Sequence, residues 1–156
     1  VGVAIGSIVI NAMLKGRISA KYSPVAVLAM GVIVVIFSIE SRLWTPAPDG
    51  GLYNVAQFIV MPQAWIVLLT LMSISITGGM FVVPLYAFLT TTVTKDQTAR
   101  TVAANNIVNA GAMILGAVAV IAITAAGVGP ADMLFLVSAM CLISAWLAVK
   151  LHRACD

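Results

Sequence analysis

Asn105, Asn106 and Asn109 stand near the start of a run, residues 101–127, that contains no charged side chain. At about 100° per residue the three amides share a helical arc about 100° wide. Met113 and Gly116 lie in the same arc, and Val102 and Val120 interrupt it. The opposite face is Ile107, Ile114, Leu115 and Val118, with Gly111 among them. An amide offers two N–H donors and a carbonyl acceptor. A cluster of them in an apolar helix can bind ester or hydroxyl groups of a substrate. It can equally hydrogen-bond across to neighbouring helices, at about 0.6 kcal/mol each. At about 1.5 Å of rise per residue, Asn105 to Asn109 lie roughly 7–14 Å beyond Arg100. Arg100 itself could meet a phosphate bidentately or sit as a snorkelling cation at an interface.

A second set lies upstream. Ser73, Thr77 and Pro84 fall near one face of the run WIVLLTLMSISITGGMFVVPLYAFLTTTV, residues 65–93, and Tyr86 points almost the other way. The two hydroxyls can contribute to a substrate site or satisfy their own helix. Pro84 removes a backbone donor, and Gly78 with Gly79 adds a soft point beside it. This group reads either as a hinge or as a static kink.

Enzyme chemistry finds little support. No paired carboxylates, no Ser-His-Asp set and no glycine-rich phosphate loop occur, and His152 stands alone beside Arg153. Cys141 and Cys155 have no spacing that specifies a metal site or a disulfide framework. We therefore expect no catalytic residues, no metal and no cofactor. The five acids all read as lying outside the apolar cores, so none suggests an intramembrane proton relay.

The elements that position these groups follow from length and composition. The 156 residues are 62% hydrophobic and only 8% charged, with a mean hydropathy of +1.14. A helix needs about 20 apolar residues to cross a bilayer. The pattern predicts an all-α, polytopic membrane helix bundle of about five transmembrane spans, at residues 1–14, 24–39, 65–93, 101–126 and 131–149. Gly2 and Gly6 offer the first span a smooth face for a neighbour. Pro24 and Pro130 suit first turns, Asp132 favours a helix N-terminus, and Asp96 or Thr98 could cap the fourth span. The long loop from Ser41 to Gln63 ends in an aromatic-bearing stretch suited to headgroup depth. The first span is short and begins at Val1, so the chain is expected to be part of something longer.

In this topology Lys15, Arg17, Lys21, Lys95, Arg100, Lys150 and Arg153 fall on one side and Arg42 on the other. The positive-inside rule puts the seven, and the C-terminus, in the cytoplasm. Arg42 has Glu40 and Asp49 near it in sequence. No basic face or aromatic platform supports nucleic-acid binding; the expected partner is the lipid bilayer.

The runs GGMFVVPLYAFLTTT, residues 78–92, and TARTVAANNIVNAGAM, residues 98–113, together resemble the lysophospholipid transporter branch of the major facilitator superfamily. Members fused at their C-terminal end to an acyltransferase look most similar. Gly6-Ser7 and KGRISAKYSP, residues 15–24, resemble the end of helix 8 and the connection to helix 9 in that group. The resemblance implies helices 8 to 12 of a twelve-helix fold, that is, part of the C-terminal half of a transporter over residues 1–156. It implies further partners in the remaining N-terminal helices and, in some members, a fused acyltransferase. It also implies movement of lysophospholipid across the bacterial inner membrane. One departure stands out: where the superfamily pattern wants an Asp-Arg pair ahead of Gly16-Arg17, this chain has Met13-Leu14. Two other functions fit the same spans: a facilitator of small solutes or drugs, and a non-transporting membrane anchor for an acyltransferase.

Overall fold

The structure, a computed structural model, describes residues 1–15, 19, 21–45 and 52–155, the last four by backbone alone. Six helices follow one another: α1 Gly2–Leu14, α2 Ser23–Arg42, α3 Val55–Val60, α4 Pro62–Thr91, α5 Lys95–Ala125 and α6 Pro130–Cys155. No strand occurs among the described residues, and the fold is an all-α bundle. Within them, α2, α4, α5 and the Pro130–Leu151 part of α6 are each long and apolar enough to cross a membrane; α1 is a shorter apolar helix.

Local chemistry sets the ends. Lys15 adopts the left-handed region, φ 51°, and its N–H returns to Ala12 O, which closes α1. Prolines occupy the first turns of α2 and α4, where a missing N–H costs nothing. Before α3, Asn54 and Gln57 form a reciprocal capping box, at 2.8 Å and 3.1 Å. Trp65 Nε1 donates to Ile59 O at 2.9 Å and holds α3 against the start of α4. Gly127, φ 86°, provides the turn from α5 to α6.

Two seams hold the bundle. In the first, α1 runs alongside α4 at backbone contact. A Cβ on Gly6 would collide with Ile76 O, one on Gly2 with Ser75 Cβ, and one on Gly79 would come within 2.6 Å of Val3 O. Small residues here let backbones approach so that dispersion and weak C–H···O contacts replace side-chain packing. In the second seam α2 runs antiparallel to α6. Val27, Cys141 and Ala145 form its buried centre. Ser38 Oγ donates to Ala131 O at 2.7 Å, and Ser138 Oγ donates back to Gly31 O at 3.1 Å. Arg42 closes the seam on Asp132 and lies 5.1 Å from the Phe135 ring centre.

Four expectations change. Residues 94–100, which the expected spans at 65–93 and 101–126 leave as a polar break, are mostly helical: α5 begins at Lys95. Thr94 precedes that helix, so neither Asp96 nor Thr98 caps it; Thr98 Oγ1 instead donates to Thr94 O at 3.1 Å. The second span extends to Arg42, which places Glu40 inside α2 and not beyond it. Arg42 finds its partner 90 positions away in Asp132, because the antiparallel α2–α6 packing brings those helix ends together. Asp49 lies outside the described residues.

Candidate functional site

The α1–α4 and α2–α6 pairings fix where the charges go. The C-terminal end of α1, the start of α2, the end of α4 with the start of α5, and the end of α6 share one end of the bundle. That end carries Lys15, Lys21, Lys95, Arg100 and Lys150; Arg17 and the side chain of Arg153 lie outside the described residues. Glu40, Arg42 and Asp132 occupy the opposite end.

Asn105 is half-buried and borders a cavity of about 420 Å³ at the basic end. Leu85, Tyr86, Leu89 and Thr92 of α4 and the adjoining turn form one wall, and Leu151 of α6 closes another. Asn106 and Asn109 are exposed on the same helix. None of the three amides has a hydrogen-bond partner among the described residues, so the helix-to-helix bonding that such residues can provide is not used here. Arg100 is exposed and outside any ion pair among those residues. Helix α5 packs chiefly on α4 and has no buried residue along its whole length. A polar group facing hydrocarbon without a partner is costly, so this face belongs against protein or a water-filled cavity.

The hydroxyls upstream behave differently. Ser73 Oγ donates to Leu69 O at 2.8 Å and Thr77 Oγ1 to Ser73 O at 2.8 Å. Both are engaged within α4 and separate from the asparagines, which the fold does not bring to them. Helix α4 runs unbroken through Gly78, Gly79 and Pro84. A Cβ on Gly79 would run into Val3 of α1, whereas one on Gly78 would find only Met30 Sδ, at 3.7 Å. Pro84 is buried and borders a cavity of about 270 Å³ that also touches Ser7 and Asn11 of α1. The proline thus has room on its α1 side, at the level where its missing N–H leaves the preceding turn short of a donor.

A polar constellation at the other end escaped the sequence reading. Thr70 Oγ1, buried between α4 and α2, lies 2.8 Å from Glu40 Oε1 and 3.0 Å from Ile66 O. Glu40 Oε2 is buried with no hydrogen-bond partner. Thirty residues and a loop separate the acid from the hydroxyl, so only the pairing of the helices could reveal it. No group of three or more potential metal ligands occurs among the described residues.

A bundle of long apolar helices with segregated charge and a few uncommitted amides defines a multi-pass α-helical membrane protein. No protein-family model, curated protein or solved structure matches the chain.

Proposed function

We propose that the chain is part of a secondary membrane transporter, and that its substrate is a lysophospholipid carried across the bacterial inner membrane. The observation that carries the reading is the state of the three amides on α5. Among the described residues Asn105, Asn106 and Asn109 have no hydrogen-bond partner, and Asn105 borders an apolar-walled cavity beside the basic end. Such a site suits a molecule with an ester or hydroxyl region attached to an acyl chain: the Asn105 amide takes the polar part, while Leu85, Leu89 and Leu151 take the chain. Arg100, five residues earlier on α5, is the cation this reading assigns to a phosphate. The sequence resemblance of residues 78–113 points the same way. The basic end faces the cytoplasm in this reading, which places the C-terminus there too.

The test is reconstitution of the full-length protein in vesicles with headgroup-labelled lysophospholipid. Transport should be competed by unlabelled lysolipid and not by small hydrophilic solutes. Competition by solutes instead would favour a solute facilitator, and no movement of either would favour a membrane anchor.

A further inference from the structure

We propose that the cavity at the α1–α2 connection binds the headgroup of an anionic phospholipid, with Lys15 and Lys21 taking its phosphate. The site shares no residue with the Asn105 cavity, and it stands whichever solute the protein moves.

Met13, Leu14, Lys15, Ser19, Lys21 and Tyr22 border a cavity of about 370 Å³ at the basic end of the bundle. That volume lies within the usual span of small-molecule sites, roughly 300–1,000 Å³. Most of these walls are polar or charged, whereas those of the Asn105 cavity are chiefly apolar.

Both lysines are placed by local structure. Lys15, at φ 51°, is the one non-glycine residue in the left-handed region among the described residues. The turn that closes α1 needs only that backbone, which glycine or asparagine adopts more readily; what lysine adds is its ammonium. Lys21 is held from two sides. Its backbone N–H donates to Ser19 Oγ at 3.2 Å, and its Nζ lies 5.7 Å from the Tyr22 ring centre. The ring face steadies the ammonium without neutralising it.

The field at the cavity favours an anion. Among the described residues the one ion pair joins Arg42 to Asp132 at the opposite end, so neither lysine is spent on a carboxylate. The acid at this end among those residues is Asp96, on α5 and in no ion pair there. Helix α2 begins beside the cavity with no acid in its first turn and no side-chain cap, so the positive end of its dipole adds to the two ammoniums. The carbonyls at the end of α1 act against an anion, but Lys15 N–H reaches two of them, Ala12 O and Asn11 O.

The remaining walls make the anion a lipid. Met13 and Leu14 end an apolar helix, and Met13 is exposed. From α1 into the connection the walls pass from thioether and alkyl to hydroxyl and ammonium, the order a phospholipid presents from acyl chain to phosphate. Free phosphate would meet the lysines and leave the apolar wall unused. A net-anionic headgroup such as phosphatidylglycerol is preferred to phosphatidylcholine, whose own ammonium brings like charge toward Lys15 and Lys21.

Native mass spectrometry of the full-length protein, released from micelles holding equal amounts of dipalmitoyl phosphatidylglycerol and dipalmitoyl phosphatidylcholine, tests this. Phosphatidylglycerol should be retained in preference. Its retention should fall about tenfold or more in Lys15→Gly/Lys21→Gln and stay unchanged in Lys95→Gln/Lys150→Gln, which removes two lysines from the same end. Glycine suits the left-handed turn, so the first variant loses the ammonium at position 15 and keeps the end of α1. Equal retention of the two lipids overturns the proposal. So does an equal fall in both lysine pairs, which would mean diffuse surface charge and no site. Millimolar inorganic phosphate should displace nothing; displacement would assign the cavity to free phosphate and overturn the lipid. Should the double variant not fold, Lys21→Gln alone decides, with a fall of about fivefold expected and unchanged retention fatal. None of these readouts involves transport, so failure of the lysophospholipid reading would leave them intact.

Discussion

Arg42, in the last turn of α2, forms an ion pair with Asp132, in the first turn of α6. Each sits where the helix dipole favours its sign, a cation at a C-terminus and an acid at an N-terminus. Both side chains are about half exposed, at 50% and 52%, so solvent screens the attraction. Asp132→Arg and Arg42→Asp should each lower thermal stability in detergent. The double exchange should recover part of the loss, with a coupling of about 0.2–1 kcal/mol in a double-mutant cycle.

The α1–α4 seam is more demanding. A Cβ on Gly79 would come within 2.6 Å of Val3 O, a backbone atom that cannot move aside. Gly79→Val and Gly6→Val should each cost about 1–3 kcal/mol or more through overpacking, read as a lowered Tm. Gly111→Ala and Gly116→Ala on α5, where nothing lies within 4 Å, should leave the Tm unchanged or raise it slightly, since alanine is the better helix former.

The asparagines provide the sharpest separation between function and stability. Because Asn105, Asn106 and Asn109 make no hydrogen bond in the described structure, the triple replacement by Leu should leave folding intact. Transport of labelled lysolipid should fall about tenfold or more, the equivalent of about 1.4 kcal/mol of lost interaction. Unchanged transport would remove these residues from the mechanism.

Helix directions group positions 15, 21, 95 and 150 at one end of the bundle, and the proposed orientation adds that this end is cytoplasmic. Cysteines placed one at a time at positions 15, 21, 95 and 150 should react with a membrane-impermeant thiol reagent from the cytoplasmic side only, with Cys141 and Cys155 replaced beforehand. One placed at position 132 should react from the outside only. Reaction of positions 15 and 95 from opposite sides would contradict both the pairing of α1 with α4 and the orientation.

Long uncharged runs made the helices legible in the sequence, because lipid forces backbone polar groups to pair internally whatever the tertiary contacts. Gly2 and Gly6 were equally readable as a contact face, since their spacing leaves one side of α1 bare. The helix ends were not. Residues 95–100 look like a loop because they are charged, yet charged residues continue a helix well once they reach the interface. The Glu40–Thr70 contact and the Arg42–Asp132 pair were invisible for another reason. Each joins residues from separate helices, and sequence proximity pointed Arg42 instead to Glu40 and Asp49. For Ser73 and Thr77, periodicity gave the face but not the partner, and the partner is each residue's own preceding turn.

The glycine seam also limits how this molecule can change shape. Helices α1 and α4 approach closely at Gly6 and Gly79, and parting them would strip away close packing that no side chain on those faces replaces. Helix α5 has no glycine in such contact and joins α4 through residues 92–94, so a change of shape costs least packing there.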